Sequence, residues 1–113
     1  MSIDHKNINK LIAALEEFKK IDPNMSLPSM LTFLYYHDVD GRSGNRSTVE
    51  ERLDMTGATA SRATLYWAEY KRPRIAGINM IESNSDPENR RFNVIQYNRR
   101  GLDFLSKLSE VMK

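Results

Sequence analysis

Asp86-Pro87-Glu88-Asn89-Arg90-Arg91-Phe92-Asn93-Val94-Ile95-Gln96-Tyr97-Asn98-Arg99-Arg100-Gly101 passes from a turn, through a strand, into a capped helix. Asp86-Pro87 starts the turn. Strand alternation sends Phe92, Val94 and Gln96 to one side and Asn93, Ile95 and Tyr97 to the other. Just upstream, Ile78-Asn79-Met80-Ile81-Glu82 reads as a second strand. The two strands predict a hairpin with Arg90 and Arg91 at its tip. Asn98 caps the helix that follows, in which Leu102, Leu105, Leu108 and Met112 recur at helical spacing.

Working toward the N-terminus, Thr56 reads as the N-cap of another helix, whose inner face is Ala60, Ala63, Thr64 and Trp67. Ser47-Thr48-Val49-Glu50 is a capping box that opens a short preceding helix with Val49 and Leu53 inward. Two short helices joined by a tight turn make a helix-turn-helix. Pro73 is expected to stop the second of them, and Gly77 to open the hairpin. Ile8, Leu11, Ile12, Leu15 and Phe18 predict an amphipathic helix over about residues 4–20, ended by Asp22-Pro23-Asn24. Ser26 caps a further helix with Pro28 in its first turn and Leu27, Met30, Leu31 and Leu34 as its expected buried stripe. Asp40 to Asn45 is a polar loop. The predicted fold is mainly α with a small β-hairpin: a winged helix-turn-helix with flanking N- and C-terminal helices.

The 113 residues hold one domain with one core. No cysteine is present, which excludes disulfides and thiolate zinc sites. His5 and His37 are far apart and lack companions, so no metal site is expected. No apolar run is long enough to span a bilayer and the N-terminus does not read as a signal peptide, so a cytoplasmic protein is expected. Net charge is only +2, but residues 42–100 carry 11 Lys/Arg against 7 Asp/Glu, whereas residues 1–41 carry 4 against 6. Such asymmetry suits a polyanion-facing side and a separate partner-facing side, as well as an ordinary solvated surface. Glu16-Glu17 and Glu50-Glu51 are expected on helix surfaces, and no Gly-rich phosphate loop, nucleophile elbow or metal motif occurs. The chain therefore reads as a non-enzyme that needs no cofactor.

Three segments resemble the MarR family of bacterial transcription regulators. Ser26-Leu27-Pro28-Ser29-Met30-Leu31 looks like the opening of the family's second helix. Thr48 to Arg62 looks like its helix-turn-helix and ends in a Thr-x-Ser-Arg version of the recognition-helix pattern. Asn89-Arg90-Arg91 through Asn98-Arg99-Arg100-Gly101 looks like its wing, with Asn89 in place of the usual Asp and Tyr97-Asn98 in place of Leu-Thr. About six extra residues lie between Trp67 and Gly77, which implies a longer recognition helix or a longer turn after it. The resemblance implies a homodimer on double-stranded operator DNA, joined through helices at residues 1–21 and 99–113. It also implies a recognition helix in the major groove and a wing arginine in the minor groove. Some members of the family respond to a small ligand; nothing in this chain requires one.

Thr56, Gly57, Ala58, Thr59, Ser61 and Arg62 fall in the first turns of the recognition helix. Small residues there allow close backbone approach, hydroxyls can bond a base or a phosphate, and Arg62 can pair with guanine. The plainer alternative for Arg62 is a solvated arginine or a phosphate contact alone. Tyr66, one turn on, suits a phosphate or packing on the wing. Arg90 and Arg91 cannot point the same way along a strand, so one is expected on DNA and the other beside an acid. Lys71, Arg72 and Arg74 either hold phosphates or complement a helix C-terminus. Arg99 and Arg100 open a helix, where cations oppose its dipole, and so hint at an outside acid or phosphate. Tyr35, Tyr36 and Trp67 are expected as core and rim packing, with an aromatic ligand pocket as the rival. The alternative to DNA binding is a winged-helix protein-interaction adaptor.

Overall fold

A computed structural model of the chain describes residues 2–38, 51, 53–54, 56–72, 75–85 and 93–113. The capping box at 47–50, the loop at 40–45 and the hairpin tip with Arg90 and Arg91 lie outside the described residues. Helices α1 (His5–Ile21) and α2 (Leu27–Tyr35) are followed by a short 3-10 turn, Tyr36–Asp38. Glu51 and Leu53 are helical, and Asp54 turns the chain with φ 50°. Then come α3 (Gly57–Trp67), β1 (Tyr70–Arg72), β2 (Ile75–Ala76), β3 (Ile81–Ser85), β4 (Asn93–Tyr97) and α4 (Arg99–Val111). The mainly helical fold with a small antiparallel hairpin is the one expected, a winged helix-turn-helix.

Local chemistry sets the helix starts. Asp4 opens α1 by accepting from the N–H groups of Lys6 and Asn7. Ser26 caps α2 through Ser29, Thr56 caps α3 through Thr59, and Asn98 caps α4 through Gly101. Each cap satisfies a donor that the helix itself leaves open, typically worth ~1 kcal/mol.

Each of α1 to α4 gives a ring to the core. Phe18 from α1 meets Phe33 of α2, Trp67 of α3 and Phe104 of α4 edge-on, at centroid distances of 6.4, 6.3 and 5.1 Å. Phe33 and Trp67 lie 4.5 Å apart in a tilted stack. Such pairs add ~0.5–1.5 kcal/mol each beyond burial. Ile81 and Ile95 close the core from β3 and β4.

The wing strands pair from Ile81↔Tyr97 to Ser85↔Asn93. The first begins at Ile81 rather than Ile78, because Ile78, Asn79 and Met80 donate instead to the carbonyls of Tyr66, Ala68 and Trp67. Asn98 ties the wing root to α4: its Nδ2 donates to the Asn79 carbonyl at 2.9 Å, and its own N–H donates to the Met80 carbonyl. Gly101 is required at this joint, since a Cβ there would stand 2.1 Å from the Met80 oxygen.

The apolar row of α1, Ile8, Leu11, Ile12 and Leu15, lies in solvent, exposed by 42 to 51%, and only Glu17 and Phe18 of that helix are buried. Several expectations are corrected. In α2, Leu27 and Leu34 face out, and Thr32 and Phe33 are buried instead. Thr32 tolerates burial because its hydroxyl donates to the Pro28 carbonyl at 2.7 Å. In α4 the inward row is Gly101, Phe104 and Leu108, with Leu105 partly buried and Leu102 and Met112 exposed. Glu17 is buried rather than on the surface, clamped at 2.9 Å by both Lys20 and Lys107. The hydrogen bonds from Lys107 and Lys20 hold its carboxyl below the usual range. Pro73 does not stop α3: the helix ends six residues earlier, and Tyr70–Arg72 pairs with Ile75–Ala76 beyond it.

Candidate nucleic-acid interface

α3 is anchored on one side and open on the other. Its inner row is the one expected from spacing: Ala60, Ala63, Thr64 and Trp67 are buried. Trp67 is fully enclosed, and its indole N–H donates to the Ser29 carbonyl at 2.8 Å. Tyr36, itself buried, shares a hydrogen bond with the Thr64 hydroxyl. Tyr36 and Trp67 are thus committed to the core, as expected.

Tyr66, expected at a phosphate or against the wing, is half-buried and bound to α1. Its hydroxyl donates to Asp22 Oδ2 at 2.5 Å, at the C-cap of α1, and its ring stands edge-on to Trp67 at 5.4 Å. Burial and the Asp22 carboxylate push the phenol well above its ordinary value. Tyr97, whose hydroxyl donates to the Phe33 carbonyl, is raised by burial and by Tyr36.

The N-terminal half of α3 is the open part. Thr56, Gly57, Ala58 and Arg62 are exposed, and Thr59 and Ser61 are half-buried. The Thr56 hydroxyl accepts from the Thr59 N–H at 3.2 Å and donates to the Thr59 hydroxyl at 3.0 Å. That leaves the Thr59 proton available to an outside acceptor. The first turn holds no acidic residue. A helix start presents unpaired N–H groups and a positive dipole end, so an anion is favoured there.

Two features escaped the sequence reading. Leu65 is exposed and shares a face with Ala58 and Arg62 through the i, i+4, i+7 relation. Asp54 supplies the left-handed residue of the turn, a conformation that Asp adopts more readily than most residues. The structure brings Thr56, Gly57, Ala58, Thr59, Ser61 and Arg62 together on α3; it does not describe Arg90 and Arg91. Among the described residues no group of three or more His, Cys, Asp or Glu could hold a metal, and no helix is long and apolar enough to cross a membrane.

No protein-family model matches the chain, and no curated protein does. Solved structures do. The fold is similar to RV1404 from Mycobacterium tuberculosis, with a TM-score of 0.63 and 21% identity over 90% of this chain and 63% of that one. It is similar to S. aureus MepR in a DNA complex, with a TM-score of 0.65 and 17% identity over 95% and 76% of the two chains. It is similar to a MarR transcriptional regulator from Methanosarcina mazei Go1, with a TM-score of 0.61 and 16% identity over 92% and 73%. The chain therefore spans less than two thirds of RV1404. At such identities the likeness is one of fold alone, a winged helix-turn-helix.

Proposed function

We propose that the chain is a homodimeric, sequence-specific double-stranded DNA-binding regulator. The observation that carries this reading is the asymmetry of α3. Its inner row and C-terminal turn are fixed to the body by Trp67, Thr64 and Tyr66. Its N-terminal turns offer small residues, hydroxyls and Arg62 to solvent. A rigid helix presented by its N-terminal half is what a major groove admits. Arg62 pairs with a guanine edge, Thr59 and Ser61 bond bases or phosphates, and Thr56, Gly57 and Ala58 let the backbone come close. Arg90 or Arg91 enters the minor groove from the wing. Tyr66 anchors the helix to α1 through Asp22. Phosphate contacts supply most of the affinity and its salt sensitivity, and base contacts supply the choice of sequence. The chain acts by binding and not by catalysis, and it needs no cofactor.

The homodimer rests on apolar rows left in solvent: Ile8, Leu11, Ile12 and Leu15 on α1, with Leu102 and Met112 on α4. The same rows favour the second reading, an adaptor that binds another protein and not DNA. The S. aureus MepR structure of the same fold holds DNA, which favours the first.

Binding-site selection from random duplexes tests the proposal. The expected product is a palindrome with half-sites about one helical turn apart. Failure to enrich any sequence, together with a stoichiometric protein partner in a pull-down, selects the adaptor.

A further inference from the structure

α3 has an outermost line as well as a buried one. Ala60, Ala63, Thr64 and Trp67 turn inward. At ~100° per residue, the line opposite that row passes between Arg62 and Leu65, which stand ~60° apart, and close to Ala58 one turn earlier. All three are exposed. Leu65 is the large apolar side chain that this helix leaves in solvent, exposed by 42%. Its turn is nonetheless fixed. The Thr64 and Leu65 carbonyls accept from the Ala68 N–H, and those of Tyr66 and Trp67 accept from Ile78 and Met80. Beside it, Tyr66 is tied to Asp22 and Trp67 to Ser29. The exposed Glu69 follows the C-cap Ala68 and is off the helix.

A single exposed leucine is ordinary on a protein surface. What distinguishes Leu65 is its place, on the same open face as Arg62 and held out by an anchored turn. A leucine side chain neither donates nor accepts a hydrogen bond, so the group it recognises must be apolar. The base edges of the major groove present donors, acceptors and one apolar group, the C5-methyl of thymine. Against any other edge the leucine would cover a donor or acceptor and leave it unpaired, which is unfavourable. It therefore excludes as well as attracts. Three residues separate Leu65 from Arg62, ~4.5 Å along the helix axis, little more than one base step of ~3.4 Å.

We propose that Leu65 is a specificity-determining residue that reads a thymine C5-methyl group in the major groove, within about two base pairs of the guanine that meets Arg62. This rests on the DNA-binding reading of α3 and deepens it. Leu65 carries no charge, so it supplies choice among base pairs rather than affinity for duplex in general.

The test starts from an operator selected out of random duplexes. Each of its thymines in turn, with its mate in the other half-site, is replaced by deoxyuridine. The replacement removes the methyl group and keeps every hydrogen-bonding group of the base. The full chain as wild type, Leu65→Ala and Leu65→Gln is titrated by fluorescence anisotropy at one salt concentration. Melting followed by circular dichroism confirms that each is folded, and either variant suffices if the other is not. The expected result is a thymine whose replacement weakens wild type about fourfold per half-site, the worth of one buried methyl group. At that position the variants bind the thymine and deoxyuridine operators equally, and their affinity for a scrambled duplex matches that of wild type. Wild type insensitive at every thymine, or a folded variant with the wild-type sensitivity at every position, overturns the role of Leu65 while α3 continues to bind. Failure of the selection to enrich any sequence overturns the DNA reading itself, and the role of Leu65 with it.

Discussion

α1 and α3 are both amphipathic by sequence, yet they place their apolar residues in opposite ways. α3 buries the row that its spacing predicts, Ala60, Ala63, Thr64 and Trp67, within its own chain. α1 commits only its C-terminal end, Glu17 and Phe18, and leaves Ile8, Leu11, Ile12 and Leu15 in solvent. Spacing identifies an apolar face; it does not say which molecule covers it. One helix is completed by the fold, and the other is left with a row that a second copy of the chain can complete. Asp22 joins the two, since it ends α1 and receives the Tyr66 hydroxyl from α3.

The contrast can be broken first at Trp67. Its side chain is fully enclosed and hydrogen-bonded to Ser29. Trp67→Ala is expected to cost ~3–5 kcal/mol in urea unfolding, a large share of the ~5–15 kcal/mol that holds a domain together. A loss below ~1 kcal/mol would mean that α3 is not anchored as described.

The opposite outcome is expected on α1. Leu11→Asp should leave the unfolding free energy of the protomer nearly intact, because the side chain is 51% exposed. It should instead weaken self-association by tenfold or more in analytical ultracentrifugation, since burying a leucine is worth ~1.5–3 kcal/mol and ~1.4 kcal/mol is tenfold. Unchanged sedimentation would remove this row from the interface.

The joint between the two regions gives the smallest effect. Burial and Asp22 raise the Tyr66 hydroxyl above its ordinary value of 10. The unfolded chain then loses this proton first as pH rises. The contribution is fully present below pH 10 and falls above it. Tyr66→Phe is expected to cost ~1 kcal/mol at neutral pH and to flatten part of the alkaline loss. Tyr97, raised in the same direction, keeps the remainder. Parallel alkaline profiles for wild type and variant would show that Tyr66 does not couple the helices.

How much of this was legible depended on the range of the forces involved. The caps by Ser26, Thr56 and Asn98 and the inner row of α3 were readable, because a side-chain oxygen three residues from an open N–H is a local signal. So was the role of Tyr36 and Trp67 in the core. The burial of Glu17 was not, since its partner Lys107 is 90 positions away in the chain. Phe104 was hidden by the leucines around it, which read as the stronger row but lie partly outside. The β1–β2 pairing was invisible because strands of two or three residues carry no period, and Pro73 read as a helix stop. Of the interface, the open half of α3 was legible from its small residues and Arg62. The commitment of Tyr66 to Asp22 was not, being a contact 44 positions long.

The most direct measurement concerns Arg62, the charged residue on the open half of α3. Once an operator has been selected, wild type and Arg62→Ala are titrated against operator and scrambled duplex at one salt concentration. The expected result is a loss of ~1–3 kcal/mol on the operator, about 5- to 150-fold, with a much smaller change on the scrambled duplex, so that the ratio of the two affinities collapses. Equal affinities of wild type and Arg62→Ala for both duplexes would contradict DNA reading by α3.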